Sequence, residues 1–187
     1  MQRINYLDNS ISGKTWNCGD NVTVYQILPE RYWVMDNVDE NNMADYLFCD
    51  LERTDGLPKG AFLAAGCEIV VAGKNFGCGS KIVEHPIRAL KAAGVKLIIA
   101  ESLSRYSYRN ALNLALPVLL LHDCCTFFKR GDEVEVCITT GRIKNLNSGE
   151  EYTAEPLGEF AAVMIGCGGL ADFISKQGEK RYDEDRQ

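Results

Sequence analysis

Residues 67–100 read Cys-Glu-Ile-Val-Val-Ala-Gly-Lys-Asn-Phe-Gly-Cys-Gly-Ser-Lys-Ile-Val-Glu-His-Pro-Ile-Arg-Ala-Leu-Lys-Ala-Ala-Gly-Val-Lys-Leu-Ile-Ile-Ala. Ile69 to Ala72 is a short apolar run, the pattern of a strand buried on both faces. Gly73, Gly77 and Gly79 break it. From about Val83 to Ala93 the apolar positions Val83, Ile87, Leu90 and Ala93 fall at helical spacing, and Gly94 is a suitable stop. Val95 to Ala100 is a second apolar strand. A strand, helix and strand of this length imply a parallel pair joined by a right-handed crossover.

The chemistry lies where the loop meets the helix. Glycines let backbone N–H groups approach a ligand closely. A helix N-terminus adds free donors and partial positive charge, so the junction can take a carboxylate or phosphate. Ser80 stands there, and its plainer reading is a helix N-cap. The glycines at 73, 77 and 79 fit neither a Walker A loop nor a Gly-x-Gly-x-x-Gly fingerprint.

Outward from this unit, Ser104 to Ala115 reads as a second helix and Val118 to Leu121 as a third strand. A parallel βαβαβ core follows, giving an α/β fold with additional β-strands. Upstream, Lys14 to Trp16 and Val22 to Leu28 read as strands, and Glu40 to Leu51 as a helix capped by Asp39. Arg31 to Met35 form an apolar loop. Downstream, Val134 to Ile138 alternates as a strand. Arg142 to Lys144 and Glu151 to Ala154 flank the turn Asn147-Ser148-Gly149 as a hairpin. Leu157 to Ile165 and Leu170 to Lys176 read as helices. Residues 1–187 read as a single domain, with 1–12 and 177–187 expected to be flexible.

The chain has 187 residues, 46% of them hydrophobic, and a net charge of −6. An acidic chain without a basic stripe argues against nucleic-acid binding. No apolar run is long enough for a membrane span, and the first residues lack a signal-peptide core, so the expected location is the cytoplasm. The eight cysteines form no Cys-x-x-Cys pair and read as reduced, buried thiols. Their spacings suit neither structural zinc nor an iron–sulfur cluster, so no metal site is expected on this chain. Cys124-Cys125 is a weak candidate for a redox pair, and its plainer reading is a packed strand end. His85 and His122 read as local hydrogen-bonding residues, and Arg105 as a surface or contact residue.

The run Gly73-Lys74-Asn75-Phe76-Gly77-Cys78-Gly79-Ser80, followed by Glu84-His85, resembles the signature of the small subunit of 3-isopropylmalate dehydratase, the swivel domain of the aconitase superfamily. Gly19-Asp20-Asn21, Ile27-Leu28-Pro29-Glu30-Arg31-Tyr32, Ala100 to Asn110, Gly131-Asp132-Glu133-Val134 and Ala154-Glu155-Pro156-Leu157 match further parts in the same order. The likeness spans roughly residues 13–175. It implies an aconitase-like swivelling β/β/α domain around the parallel core.

The resemblance also implies a divided active site. A large partner subunit carries the [4Fe-4S] cluster, and this chain, binding no cofactor itself, contributes contacts to a small dicarboxylate-type substrate. Ser80 matches the catalytic base. Gly77, Cys78, Gly79 and Lys81 match the substrate-binding loop, with backbone donors from Gly77 to Ser80 facing the ligand. Arg31, Trp33, Val34 and Met35 match the substrate-specificity loop. Its apolar Val34 suits an alkyl substituent rather than a third carboxylate. The family's second serine is replaced by Lys81, and its arginine has no clean equivalent. The family's Asp-Thr-Asp is replaced by Thr23-Val24-Tyr25. The function implied is a hydro-lyase that isomerises a malate-type substrate in leucine biosynthesis, inactive without its partner. A related dehydratase for another alkyl-substituted malate, or a non-catalytic anion-binding module on the same fold, is the alternative.

Overall fold

In Ile69–Ala72 every side chain is buried, but the four do not share one core. Successive strand residues point to opposite faces. Val70 and Ala72 join one apolar cluster, while Ile69 and Val71 join another. Leu97–Ala100 divides in the same way. The central strands are therefore sandwiched between two apolar layers, as their uninterrupted apolar runs require.

A computed structural model of the protein describes residues 10–33, 40–51, 57–79 and 83–176. The strands are β1 (Ile11–Asn17), β2 (Ile69–Ala72), β3 (Leu97–Ala100), β4 (Val118–Leu120), β5 (Glu133–Cys137), β6 (Arg142–Asn145) and β7 (Glu151–Thr153). They form one sheet in the order β4-β3-β2-β1-β5-β6-β7. From β1 to β4 the pairing is parallel, with Trp16 opposite Val70, Val70 opposite Ile98 and Ile98 opposite Val118. On its other edge β1 pairs antiparallel with β5, and β5, β6 and β7 continue as a meander. The parallel core and the hairpin are thus as expected. β1 begins at Ile11, so the expected flexible start does not extend into Ile11 and Ser12.

The helices are α1 (Val24–Ile27), α2 (Glu40–Ala44), α3 (Ala61–Ala64), α4 (His85–Ala92), α5 (Arg105–Asn113), α6 (Cys124–Phe127) and α7 (Glu159–Gly166), with a further helical stretch over 170–176. α4 carries Pro86 in its first turn and ends at Gly94, where φ is +86° and Val95 N–H reaches back to Leu90 O at 3.0 Å. Ser104 caps α5 by accepting from Ser107 N at 3.2 Å.

Three expectations are corrected. The strand expected over Val22 to Leu28 is instead α1. Its cause is a capping box: Thr23 accepts from Gln26 N, and the Gln26 side chain accepts from Thr23 N at 3.0 Å. These satisfied helix-end donors outweigh the β-propensity of Val22, Thr23 and Val24. The helix expected to reach Leu51 stops at Ala44. Phe48 has φ +58° and donates its N–H to Ile27 O at 2.9 Å. This turn buries its ring between Trp16 and Phe62, with centroids at 5.8 and 5.2 Å. Burial of such a ring contributes roughly 1.5–3 kcal/mol, more than helix propensity can offset. Finally, Cys124 and Cys125 open the short helix α6 rather than ending a strand.

Candidate active site

The chain leaves β2 at the C-terminal edge of the parallel sheet and passes directly into the glycine loop. The fit at its first turn is tight. A Cβ on Gly73 would lie 1.7 Å from Asp20 Oδ1, the atom that accepts from Lys74 N at 2.9 Å. Asn75, at φ +57°, donates through its side chain to Asn21 Oδ1 and through its backbone to Ser102 Oγ, both at 2.9 Å. Phe76 is fully buried below them. Its N–H reaches Ser102 O and its carbonyl accepts from Ser104 N, both at 2.9 Å.

Gly77 is the keystone of the loop. It sits at φ +69°, donates to Val22 O at 2.8 Å, and accepts from Ser104 Oγ at 2.6 Å and Ser107 Oγ at 2.8 Å. Cys78 donates to Asn75 O at 3.2 Å, and its carbonyl accepts from Val24 N at 2.8 Å. The expectation that these two amides face a ligand is therefore corrected: both are bonded inside the protein. The Gly77 donor is taken up by the segment 18–24, which runs alongside the loop with Thr23 bridged to Cys78 in parallel fashion, and the Cys78 donor by Asn75 of the loop itself. Gly79, at φ +133°, is different. Among the described residues its N–H meets no acceptor.

Gly79 lies against α1. A Cβ there would meet Val24 Cγ2 at 3.2 Å and Tyr25 Cε2 at 3.4 Å. The Tyr25 ring in turn stacks on Trp33, with centroids 5.5 Å apart and planes at 18°. Trp33 stacks on His85 at 6.0 Å and 8°. Trp33 is held by its own indole N–H, which donates to Leu28 O at 2.9 Å. The tryptophan-bearing segment and the start of α4 thus converge beside the last glycine of the loop. Ser80, Lys81, Val34 and Met35 lie outside the described residues.

Arg31 turns elsewhere. Its guanidinium makes a forked pair with Asp50, Nη1 to Oδ2 at 2.6 Å and Nη2 to Oδ1 at 2.7 Å, and lies over the Tyr32 ring at 4.7 Å. That pair holds the Asp50 carboxyl below the usual carboxylate range and raises the Arg31 pKa. Arg88 pairs with Glu84 at 2.9 Å, one turn before it on the same face.

A second group of polar side chains lies at the same sheet edge. Glu101 Oε1 is 3.4 Å from Lys74 Nζ and 3.6 Å from His122 Nε2, while His122 Nδ1 is 2.8 Å from Asp123 Oδ2. Glu101, His122 and Asp123 could together offer ligand atoms to a divalent cation, with the Lys74 ammonium competing for Glu101. All eight cysteines are free thiols. Among the described residues no three cysteine sulfurs converge, so these residues do not fit an iron–sulfur cluster. Cys124 donates to Ala72 O at 2.9 Å. Its hydrogen bond with Cys125 and its burial push its pKa up, and the same bond lowers that of Cys125.

Ser104 and Ser107, which brace Gly77, were not singled out as site residues in the sequence, and Tyr25 entered only as part of the stretch that replaces the family's Asp-Thr-Asp. The Thr23 and Gln26 spacing is the signal that would have placed Tyr25 on a helix facing the loop.

Residues 59–122, which carry the loop and strands β2 to β4, match the aconitase C-terminal domain family. The chain is 39% identical over 173 residues to a 3-isopropylmalate dehydratase small subunit from Caldicellulosiruptor bescii, covering 91% of this chain and 97% of that one. It is 38% identical to an isopropylmalate/citramalate isomerase small subunit from Methanocaldococcus jannaschii, covering 89% and 95%. The crystal structure of a 3-isopropylmalate dehydratase from Methanocaldococcus jannaschii superposes with a TM-score of 0.80 at 26% identity, over 94% of this chain and 99% of that one. The mixed parallel and antiparallel sheet is shared with that structure. With the order of motifs, the fold and nearly the full length in agreement, the chain belongs to the 3-isopropylmalate dehydratase small-subunit family of the aconitase superfamily.

Proposed function

We propose that this chain is the small, substrate-selecting subunit of a 3-isopropylmalate dehydratase-like hydro-lyase, working with an iron–sulfur large subunit in leucine biosynthesis in the cytoplasm. In this reading residues 1–187 form one swivelling domain that covers the partner's site and is inactive alone. The observation that supports it most is local. Gly79, the residue before Ser80, packs on Tyr25, and Tyr25 packs on Trp33 of the specificity segment. The loop and the segment that would recognise the substrate's substituent therefore stand side by side.

The reaction removes water from a malate-type skeleton and returns it. Ser80 Oγ, as an alkoxide, takes the proton from the carbon alpha to a carboxylate. The C–H electron pair becomes the double bond as the hydroxyl leaves the neighbouring carbon. Re-addition of water with the opposite regiochemistry completes the isomerisation. The partner's cluster would supply Lewis acidity to the departing hydroxyl. In this reading the Gly79 amide, without an acceptor among the described residues, donates to the negative charge that develops in the reaction, as oriented backbone donors do. Gly77 and Cys78 serve by holding the loop. Lys81 offers a point charge to a substrate carboxylate. Trp33 lies on the substituent's side, Val34 and Met35 of the same loop supply apolar character suited to it, and Arg31 joins only by exchanging the Asp50 carboxylate for that of the ligand.

The relative named isopropylmalate/citramalate isomerase favours a second reading, in which the substrate is another alkyl-substituted malate. One experiment addresses both. The chain is combined with an iron–sulfur large subunit and assayed on malates with methyl, isopropyl and carboxyalkyl substituents. Activity of the pair, absent from either chain alone, with an alkyl substrate preferred, is expected. A pair that assembles but turns over no malate would leave the anion-binding module as the better account.

A further inference from the structure

We propose that Tyr25 is a specificity-determining residue of this site, forming with Trp33 and His85 an aromatic wall that accepts an apolar substituent and rejects a carboxylate. The inference rests on the dehydratase reading and names the selectivity that the wall imposes.

The position of Tyr25 is fixed from both sides. Behind it, α1 is fastened to the glycine loop: Val24 N donates to Cys78 O at 2.8 Å, and the Thr23–Gln26 capping box closes the helix end. In front, the ring lies against Gly79, with Cε2 at 3.4 Å and Cδ2 at 3.9 Å from the position of a Cβ there. A Cβ at residue 79 would touch the ring at ordinary contact distance and crowd Val24 Cγ2 at 3.2 Å, so the loop passes close against this face of α1. The stack then runs through Trp33 to His85 with centroids 5.5 and 6.0 Å apart and planes at 18° and 8°, which makes a stepped array of three nearly parallel, offset rings. Tyr25, Trp33 and His85 are all only partly buried, so part of this surface remains open.

The chemistry of such a surface is selective. Aromatic faces carry negative quadrupole density and attract apolar groups and cations. A carboxylate placed against the ring carbons loses water and gains no hydrogen bond from them. Among the described residues, the guanidiniums nearest in sequence to the wall are already matched: Arg31 with Asp50 and Arg88 with Glu84.

The test uses the chain combined with its large subunit and reads the ratio of kcat/KM for an isopropyl-substituted malate to that for a carboxyalkyl-substituted one. Tyr25→Ala opens the wall to water and lowers this ratio about tenfold or more, the scale of a lost apolar contact. Tyr25→Phe keeps the ring and the wild-type ratio. Tyr25→Arg supplies a partner for the extra carboxylate and lowers the ratio further. The Arg variant carries the test if the Ala variant fails to assemble. An unchanged ratio in both Ala and Arg variants, with the wild-type pair active, overturns the wall and leaves the dehydratase reading intact. A Phe variant as impaired as Ala also overturns it, since the hydroxyl rather than the ring would then matter. A wild-type pair that assembles but is inactive on every malate overturns the dehydratase reading and the wall with it.

Discussion

Gly77→Ala should destabilise the fold by about 3 kcal/mol, and the figure has two parts. At φ +69° a side chain adds roughly 1–2 kcal/mol of backbone strain. The new Cβ would also lie 2.1 Å from Ser107 Oγ and 2.6 Å from Ser107 Cβ, and overpacking of this kind costs roughly 1–3 kcal/mol. Ser107 is buried on α5 and bonded to Gly77 O, so it cannot swing clear without losing that bond. Equilibrium urea unfolding, followed by tryptophan fluorescence, measures the effect. With a slope of roughly 1–3 kcal/mol/M, the midpoint should fall by about 1–3 M. Compared with Ser107→Gly alone, so that the lost bond and the helix glycine cancel, the double variant lacks the steric part and should show recovery of about half the loss, leaving the backbone part. A Gly77→Ala variant destabilised by less than about 0.5 kcal/mol, or a double variant with no recovery, would refute this account of the loop.

Two further outcomes follow from the electrostatics. The Asp50 pKa is depressed in the folded state, so its ion pair with Arg31 stabilises above the unfolded value of 3.8 and is lost as pH falls through the folded value. Because both partners are substantially exposed, Asp50→Asn should cost only about 0.5 kcal/mol at pH 7 by thermal or urea unfolding, less in high salt and progressively less as pH falls below 3.8; an equal cost at all pH values would contradict the pairing. Cys137, at the end of β5, accepts hydrogen bonds from Thr139 and Thr140 that lower its pKa to about 7. Its alkylation by iodoacetamide should therefore show a midpoint near pH 7, while buried Cys124 stays unlabelled until the protein unfolds. A Cys137 midpoint near 9 would remove those bonds from the account.

The parallel core was legible because its signals are local. Ile69 to Ala72 and Leu97 to Ala100 are uninterrupted apolar runs, and Gly94 stops the intervening helix where the spacing ends. α1 was misread because the β-branched residues near Thr23 outweighed its cap, although Thr23 and Gln26 carried the helical signal. The break at Phe48 was not legible. It depends on a ring finding Trp16 and Phe62, neither of them near it in sequence. The site divides in the same way. The glycines at 77 and 79 were visible as a loop, but the filling of the Gly77 amide by Val22 and the bracing of its carbonyl by Ser104 and Ser107 are tertiary facts. The stack of Tyr25, Trp33 and His85 joins three segments that only folding brings together. Arg31 entered as a substrate contact through the resemblance of its loop, and its partner Asp50, nineteen residues on, is not legible in the sequence.

The turnover of the assembled pair carrying Ser80→Ala tests the central claim most directly. The account predicts that the variant still assembles with the large subunit, while kcat on the preferred substituted malate falls by roughly 10²–10⁴, the usual contribution of a positioned base. Assembly with unchanged kcat would contradict it.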